Sequence, residues 1–102
     1  MTKKVYLIRG NDGRYKIGTS IKPTKRIRQL QTGNSDELDL IHIYESNNAL
    51  IIETSLHNRY SYDRKKGEWF DMSIVDEVRF LDNCKNIDDS INTLRKMGNI
   101  FI

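Results

Sequence analysis

One cysteine and two histidines are present among 102 residues. A single cysteine, Cys84, excludes an intrachain disulfide framework and any multi-cysteine zinc site. It fits a reducing, intracellular setting, with cytoplasm the expected compartment. Two histidines leave no third for a zinc triad. Long apolar runs are also missing. The longest aliphatic stretch, Ala49 to Ile52, falls far short of the ~20 residues that cross a bilayer. The first residues, MTKK, lead straight into strand-like sequence with no apolar signal segment. No internal repeat and no low-complexity linker interrupts the chain.

What is present is a polar globular composition, 37% hydrophobic and 30% charged. A chain this long reads as one domain, 1–102, that buries roughly 65% of the surface its unfolded form exposes. The net charge of +3 and a pI near 9.1 point only weakly to an anionic partner. The distribution says more. Seven basic residues lie between Arg9 and Arg28, with Asp12 the one acid among them. Acids gather later, at Asp36, Glu37 and Asp39, at Asp71, Asp76, Glu77 and Asp82, and at Asp88 and Asp89.

Lys4 to Arg9 and Arg14 to Thr19 read as two strands around the turn cluster Gly10-Asn11-Asp12-Gly13. The length of that turn matters because side chains alternate faces along a strand. An even loop sets Tyr6 opposite Ile17 and turns Lys16 away. An odd loop with a glycine bulge sets Tyr6 opposite Lys16 on a shared face. Pro23 suits a helix start, and Gly33-Asn34 a stop near Thr32, with Ile27 and Leu30 toward the sheet. Leu38 to Glu45 is a third strand. A second helix runs from Ala49 to about Tyr62, with Ala49, Ile52, Leu56 and the stem of Arg59 inward. On it Glu53, His57 and Tyr60 share one stripe. Ser73 caps a third helix with Ile74, Val75, Val78 and Leu81 inward. A fourth begins at Asp88 or Asp89, with Ile91 and Leu94 inward, and the apolar tail from Met97 to Ile102 docks on the domain. The class is α+β: a three-stranded antiparallel sheet flanked by helices, a core over about 4–72 and a helical extension over 73–102.

Hydrolysis of a phosphodiester needs a deprotonated water, neutralisation of the phosphate and stabilisation of the leaving oxygen. A divalent cation supplies the last two, and a hard ion such as Mg²⁺ needs only one or two protein carboxylates. Glu53 is a plausible single ligand, and Arg26 offers a fork of donors to a phosphate oxygen. A phenol accepts a proton from water when a nearby ammonium or metal favours the phenolate; Tyr6 and Lys16 supply such a pair. His57, Tyr15 and Tyr60 are accessory candidates, although Tyr15, one place before Lys16, falls on the opposite face. Arg14, Lys22, Lys25 and Arg28 are candidates for contact with a nucleic-acid backbone, which makes binding salt-dependent. Each has a plainer reading: Tyr6 as a packed aromatic, the cations and Glu53 as solvated faces, Trp69 and Phe70 as core, Cys84 as a small buried apolar residue.

Tyr6, the triplet Lys16-Ile17-Gly18, Arg26 eight residues after Gly18, and Glu53 in Leu50-Ile51-Ile52-Glu53 form an ordered set. With Leu56-His57 and Glu68-Trp69-Phe70, this set resembles the GIY-YIG endonuclease superfamily over roughly residues 4 to 72. The likeness is to its small stand-alone phage and bacterial branch, whose second motif often reads Lys-Ile-Gly. Lys4 and Val5 stand where that superfamily has glycine and isoleucine, and Lys16 where it commonly has tyrosine. The resemblance implies cation-dependent cleavage of nucleic acid, DNA ahead of RNA, with one Mg²⁺ or Mn²⁺. It implies Tyr6 as general base, Arg26 on the phosphate and Glu53 on the metal. Two other readings share the same residues: a nucleic-acid-binding module that does not cleave, and a protein-interaction domain. The sequence leaves the oligomeric state open.

Overall fold

The hairpin sets the architecture. In the computed structural model, residues 2–33, 37–60 and 69–98 are described. β1 spans Lys4–Gly10 and β2 spans Tyr15–Ser20. Between them, Gly10 N–H donates to the Arg14 carbonyl at 2.8 Å, and Gly13 N–H to the Gly10 carbonyl at 3.0 Å. Gly13 has φ of 85°, the left-handed conformation that closes a three-residue loop with a glycine bulge. Asp12 fastens the turn by accepting from the Arg14 amide at 3.0 Å and from its guanidinium at 2.6 Å. The Arg14 amide and side chain together hold the Asp12 carboxyl below its ordinary range.

β3, Leu38–Glu45, pairs with the other side of β1, so the antiparallel sheet runs β2-β1-β3 with β1 central. Leu7 pairs with His42 and Ile8 with Leu40, leaving Ile41 as an extra residue in β3. The bulge lets Ile41, His42 and Tyr44 lie toward one face while Leu38 and Leu40 line the other. The expected α+β class and three-stranded antiparallel sheet are what the molecule has.

α1, Pro23–Thr32, covers one face. Its Ile27 and Leu30 pack on Tyr6, Ile8 and Leu38, as their spacing predicts. α2, Ala49–Arg59, and α4, Phe80–Lys96, cover the other face with the larger core: Val5, Leu7, Ile17, Ile52, Leu56, Phe70, Phe80, Cys84 and Ile91. Ala49, Ile52 and Leu56 are buried as expected, whereas Arg59 is exposed.

The C-terminal part departs from expectation. α3, Ile74–Val78, is a single short helix, capped as predicted by Ser73 Oγ, which accepts from Asp76 N–H at 3.1 Å. Its Ile74, Val75 and Val78, 63%, 55% and 69% exposed, do not point inward, and Leu81 is also exposed. The inward stripe belongs to α4 instead, where Phe80, Cys84, Ile87 and Ile91 repeat at helical intervals. The helix therefore starts well before Asp88. That carboxylate lies mid-helix and caps nothing; it accepts from Tyr44 and Ser46 hydroxyls at 2.8 Å each and from Asn48 Nδ2 at 2.7 Å. Leu94 and Met97 are exposed. Tyr62, the segment 63–67, Glu68 and the tail 99–102 lie outside the described residues. Among the described residues, no helix is long and apolar enough to cross a membrane.

Candidate functional site

The odd-length turn decides which side chains can meet. Tyr6 pairs with Gly18, and Lys16 pairs with Ile8. Tyr6 and Lys16 thus share a face, offset by one same-face pair rather than directly opposed. The direct Tyr6–Lys16 pairing expected from the sequence is corrected by this register. Gly18 makes the offset workable. A Cβ built there would lie 2.5 Å from Tyr6 Cζ and closer still to the hydroxyl, so the phenol lies across bare backbone.

β2 is an edge strand, and its odd residues turn their backbone groups outward. Tyr15 N–H and C=O pair with Phe70 at 2.9 and 3.0 Å. The Ile17 carbonyl accepts from His57 Nε2 at 3.1 Å. A carbonyl can only accept, so Nε2 carries the proton. Around this edge lies a polar cleft of about 270 Å³, lined by Tyr6, Lys16, Ile17, Gly18, Thr19, Arg26, Glu53 and His57. Tyr6, Lys16 and Gly18 come from one face of the hairpin and Arg26 from the first turn of α1. Glu53 and His57 come from α2, one helical turn apart.

All four residues assigned catalytic roles from the sequence, together with His57, line this one cleft. Among the described residues, no hydrogen bond or ion pair engages the side chain of Tyr6, Arg26 or Glu53. Thr19 and the outward backbone of Ile17 were not foreseen. Alternation along β2 carries the signal for them, but only once β2 is known to be an edge strand.

The charge pattern fits an anion. The first turn of α1 contains no acid, and its start carries Lys22, Lys25 and Arg26, all exposed. Cations placed where a helix already presents its positive end repel one another. A sequence that keeps such an arrangement concentrates positive potential beside the cleft. Arg28 is exposed farther along α1, and Arg14 sits in the turn, engaged by Asp12.

Two accessory candidates fall away. Tyr15 is 4% exposed on the opposite face, and its hydroxyl donates to Glu77 at 2.8 Å. Burial, then the Glu77 carboxylate, push its pKa up. Tyr60 is buried, stacked on Phe70 with ring centroids 5.9 Å apart, and accepts from Asn83 Nδ2 at 3.3 Å. Burial raises its pKa as well. Its place at the end of α2, where the helix closes, carries it into the core instead of along the Glu53–His57 stripe. His42 is structural as expected: Nε2 meets the Glu77 carbonyl at 3.0 Å and the ring stacks on Phe80.

Among the described residues no group of three or more His, Cys, Asp or Glu gathers to hold a metal. Among the described residues Glu53 is the one carboxylate lining the cleft. That donor set fits a hard ion that keeps most of its waters, such as Mg²⁺ or Mn²⁺, and does not fit an all-protein cage.

A family model described as the T5orf172 domain matches residues 3–91, and the chain belongs to that family. No curated protein and no solved structure matches. The match corrects the GIY-YIG resemblance. The family found is a different one, and it runs past residue 72 through most of α4. Triplets such as Lys16-Ile17-Gly18 are too short to fix a family by themselves. The case for the cleft therefore rests on its geometry and charge.

Proposed function

We propose that this T5orf172-family domain hydrolyses phosphodiester bonds in nucleic acid, DNA in preference to RNA, with a divalent cation. The observation that carries the reading is the convergence of a phenol, two cationic side chains and one carboxylate in a single polar cleft beside the edge strand β2. In this scheme Tyr6, as the phenolate, takes a proton from the attacking water at its phenolic oxygen, and the Lys16 ammonium favours that deprotonated form. Arg26 holds a non-bridging phosphate oxygen through paired donors. Glu53 would hold a Mg²⁺ or Mn²⁺ ion. Such an ion, when bound, neutralises the phosphate and stabilises the leaving oxygen. His57, with Nε2–H on the Ile17 carbonyl, fixes α2 against β2 and so sets where Glu53 enters the cleft. Lys22, Lys25 and Arg28 extend the cationic surface along the backbone of the bound strand.

The test is incubation of single- and double-stranded DNA and RNA with the protein, with and without Mg²⁺, against Glu53→Ala. Cation-dependent cleavage that Glu53→Ala abolishes is the expected result. Cleavage that survives the substitution overturns the assignment. Salt-dependent binding without cleavage would make this a binding module.

A further inference from the structure

Trp69 lies on the cleft side of the sheet, where the proposed chemistry makes no use of it. Phe70 bridges Tyr15 in antiparallel register, so counting one residue back places Trp69 beside Lys16. The two residues also point apart across the sheet. Phe70 is 1% exposed in the main core, while Trp69 is half-buried and packs against Tyr6, Ile8 and Leu38 on the α1 side. Its ring passes over the turn end of the hairpin, where a Cβ added to Gly10 would lie 3.4 Å from Trp69 Cζ3. Lys16 and Gly18 are two positions apart on β2, roughly 7 Å along the strand. The indole therefore lies on the turn side of Lys16, itself a cleft residue, and farther from Gly18 than that, within reach of a base one or two nucleotides along a strand whose phosphate occupies the cleft.

An aromatic ring beside a cationic groove is the arrangement by which single-stranded nucleic acid is held. The groove follows the phosphates, and the ring takes a base that has left its partner. A paired base in an intact duplex presents no face to such a ring. We propose that Trp69 stacks an unpaired nucleobase one or two nucleotides from the phosphate in the cleft, so that the preferred substrate is single-stranded beside the cut. This rests on the cleft reading above and adds the class of strand it accepts.

Trp69 is the sole tryptophan of the chain, so its fluorescence reports on this position alone. Titration in EDTA prevents cleavage. Three probes are compared: oligodeoxythymidine, a blunt duplex, and an abasic phosphodiester oligomer of the same length. Anisotropy of labelled strands measures binding independently. The expected result is saturable quenching by oligodeoxythymidine and none by the abasic oligomer or the duplex. The abasic oligomer should bind roughly 5- to 150-fold more weakly than oligodeoxythymidine, the range that loss of one stacked base gives. Trp69→Phe should keep most of the affinity that Trp69→Ala loses, circular dichroism showing both folded. Oligodeoxythymidine bound by anisotropy without quenching would overturn the stacking role and leave the cleft reading standing. Equal quenching by the duplex would overturn the unpaired-base preference. Failure of every probe to bind at low salt would remove both.

Discussion

Two polar clusters in this domain are built on opposite rules. At the end of β3, Asp88 accepts from Tyr44, Ser46 and Asn48; Asn48 also donates to Asn92 at 3.0 Å and accepts from Arg95 at 2.5 Å. Burial alone would raise the Asp88 carboxyl, but the Asn48, Ser46 and Tyr44 donors outweigh it and hold it below its ordinary range. Each group answers another within the protein, and the cluster ties β3 and the start of α2 to α4. In the cleft, Tyr6, Arg26 and Glu53 gather around shared space, and no hydrogen bond or ion pair among the described residues engages their side chains. The first arrangement stabilises a fold. In the second, those three side chains keep the hydrogen-bonding capacity that the proposed function would use.

That contrast can be broken from either side. The largest expected effect is on cleavage: Tyr6→Phe or Glu53→Ala should slow it by about 10²- to 10⁴-fold, as loss of general base or cation ligand does, with the melting temperature little changed. A variant that loses stability and activity together would show that the cleft is structural. Gly18→Ala should come next. Its methyl must displace the Tyr6 ring, at a cost of about 1–3 kcal/mol in denaturant unfolding together with most of the activity. Asn48→Ala is the mirror case. It should cost about 1–3 kcal/mol by stranding network partners while cleavage by the folded fraction stays near wild type.

A pH series sharpens the same point. Because the folded Asp88 carboxyl titrates lower than its unfolded counterpart, the unfolded state binds the proton first as pH falls. The stabilisation is complete above the unfolded value of about 3.9 and fades as pH drops through the lower folded value. Asp88→Asn should flatten that acid limb in urea midpoints. The smallest effect concerns Cys84, whose thiol burial pushes up to about 12. It should resist alkylation near neutral pH while the domain is folded and react once it unfolds.

Much of the N-terminal half was legible because its signals are local. Gly10 and Gly13 mark a turn, Pro23 a helix start, and Ile52 and Leu56 an inward face, and each acts within a few residues. The C-terminal half was misread where two apolar stripes compete. Ile74, Val75 and Val78 look as inward-facing as Phe80, Cys84 and Ile91, and only the sheet surface that receives the second set decides between them. Asp88 looked like a cap because its partners, Tyr44, Ser46 and Asn48, are some forty residues away. In the site, residue type made Tyr6, Arg26 and Glu53 candidates, and their roles were read from a resemblance that the family match corrects. The offset of Lys16 from Tyr6 depends on a loop whose parity the sequence allows either way, and the exclusion of Tyr60 depends on where α2 ends.

The place of β2 at the end of the sheet order carries a further consequence. Tyr15 pairs its outward backbone with Phe70 and the Ile17 carbonyl accepts from His57, but an edge strand with any outward N–H and C=O groups left is a template for a strand of another chain. A lysine beside that edge and a basic helix above it make such an approach electrostatically unfavourable between identical copies. The charges that would draw in a polyanion would thus also oppose edge-to-edge association of the domain with itself. Lys16→Val should lower the concentration at which the protein precipitates well before it lowers the temperature at which it melts.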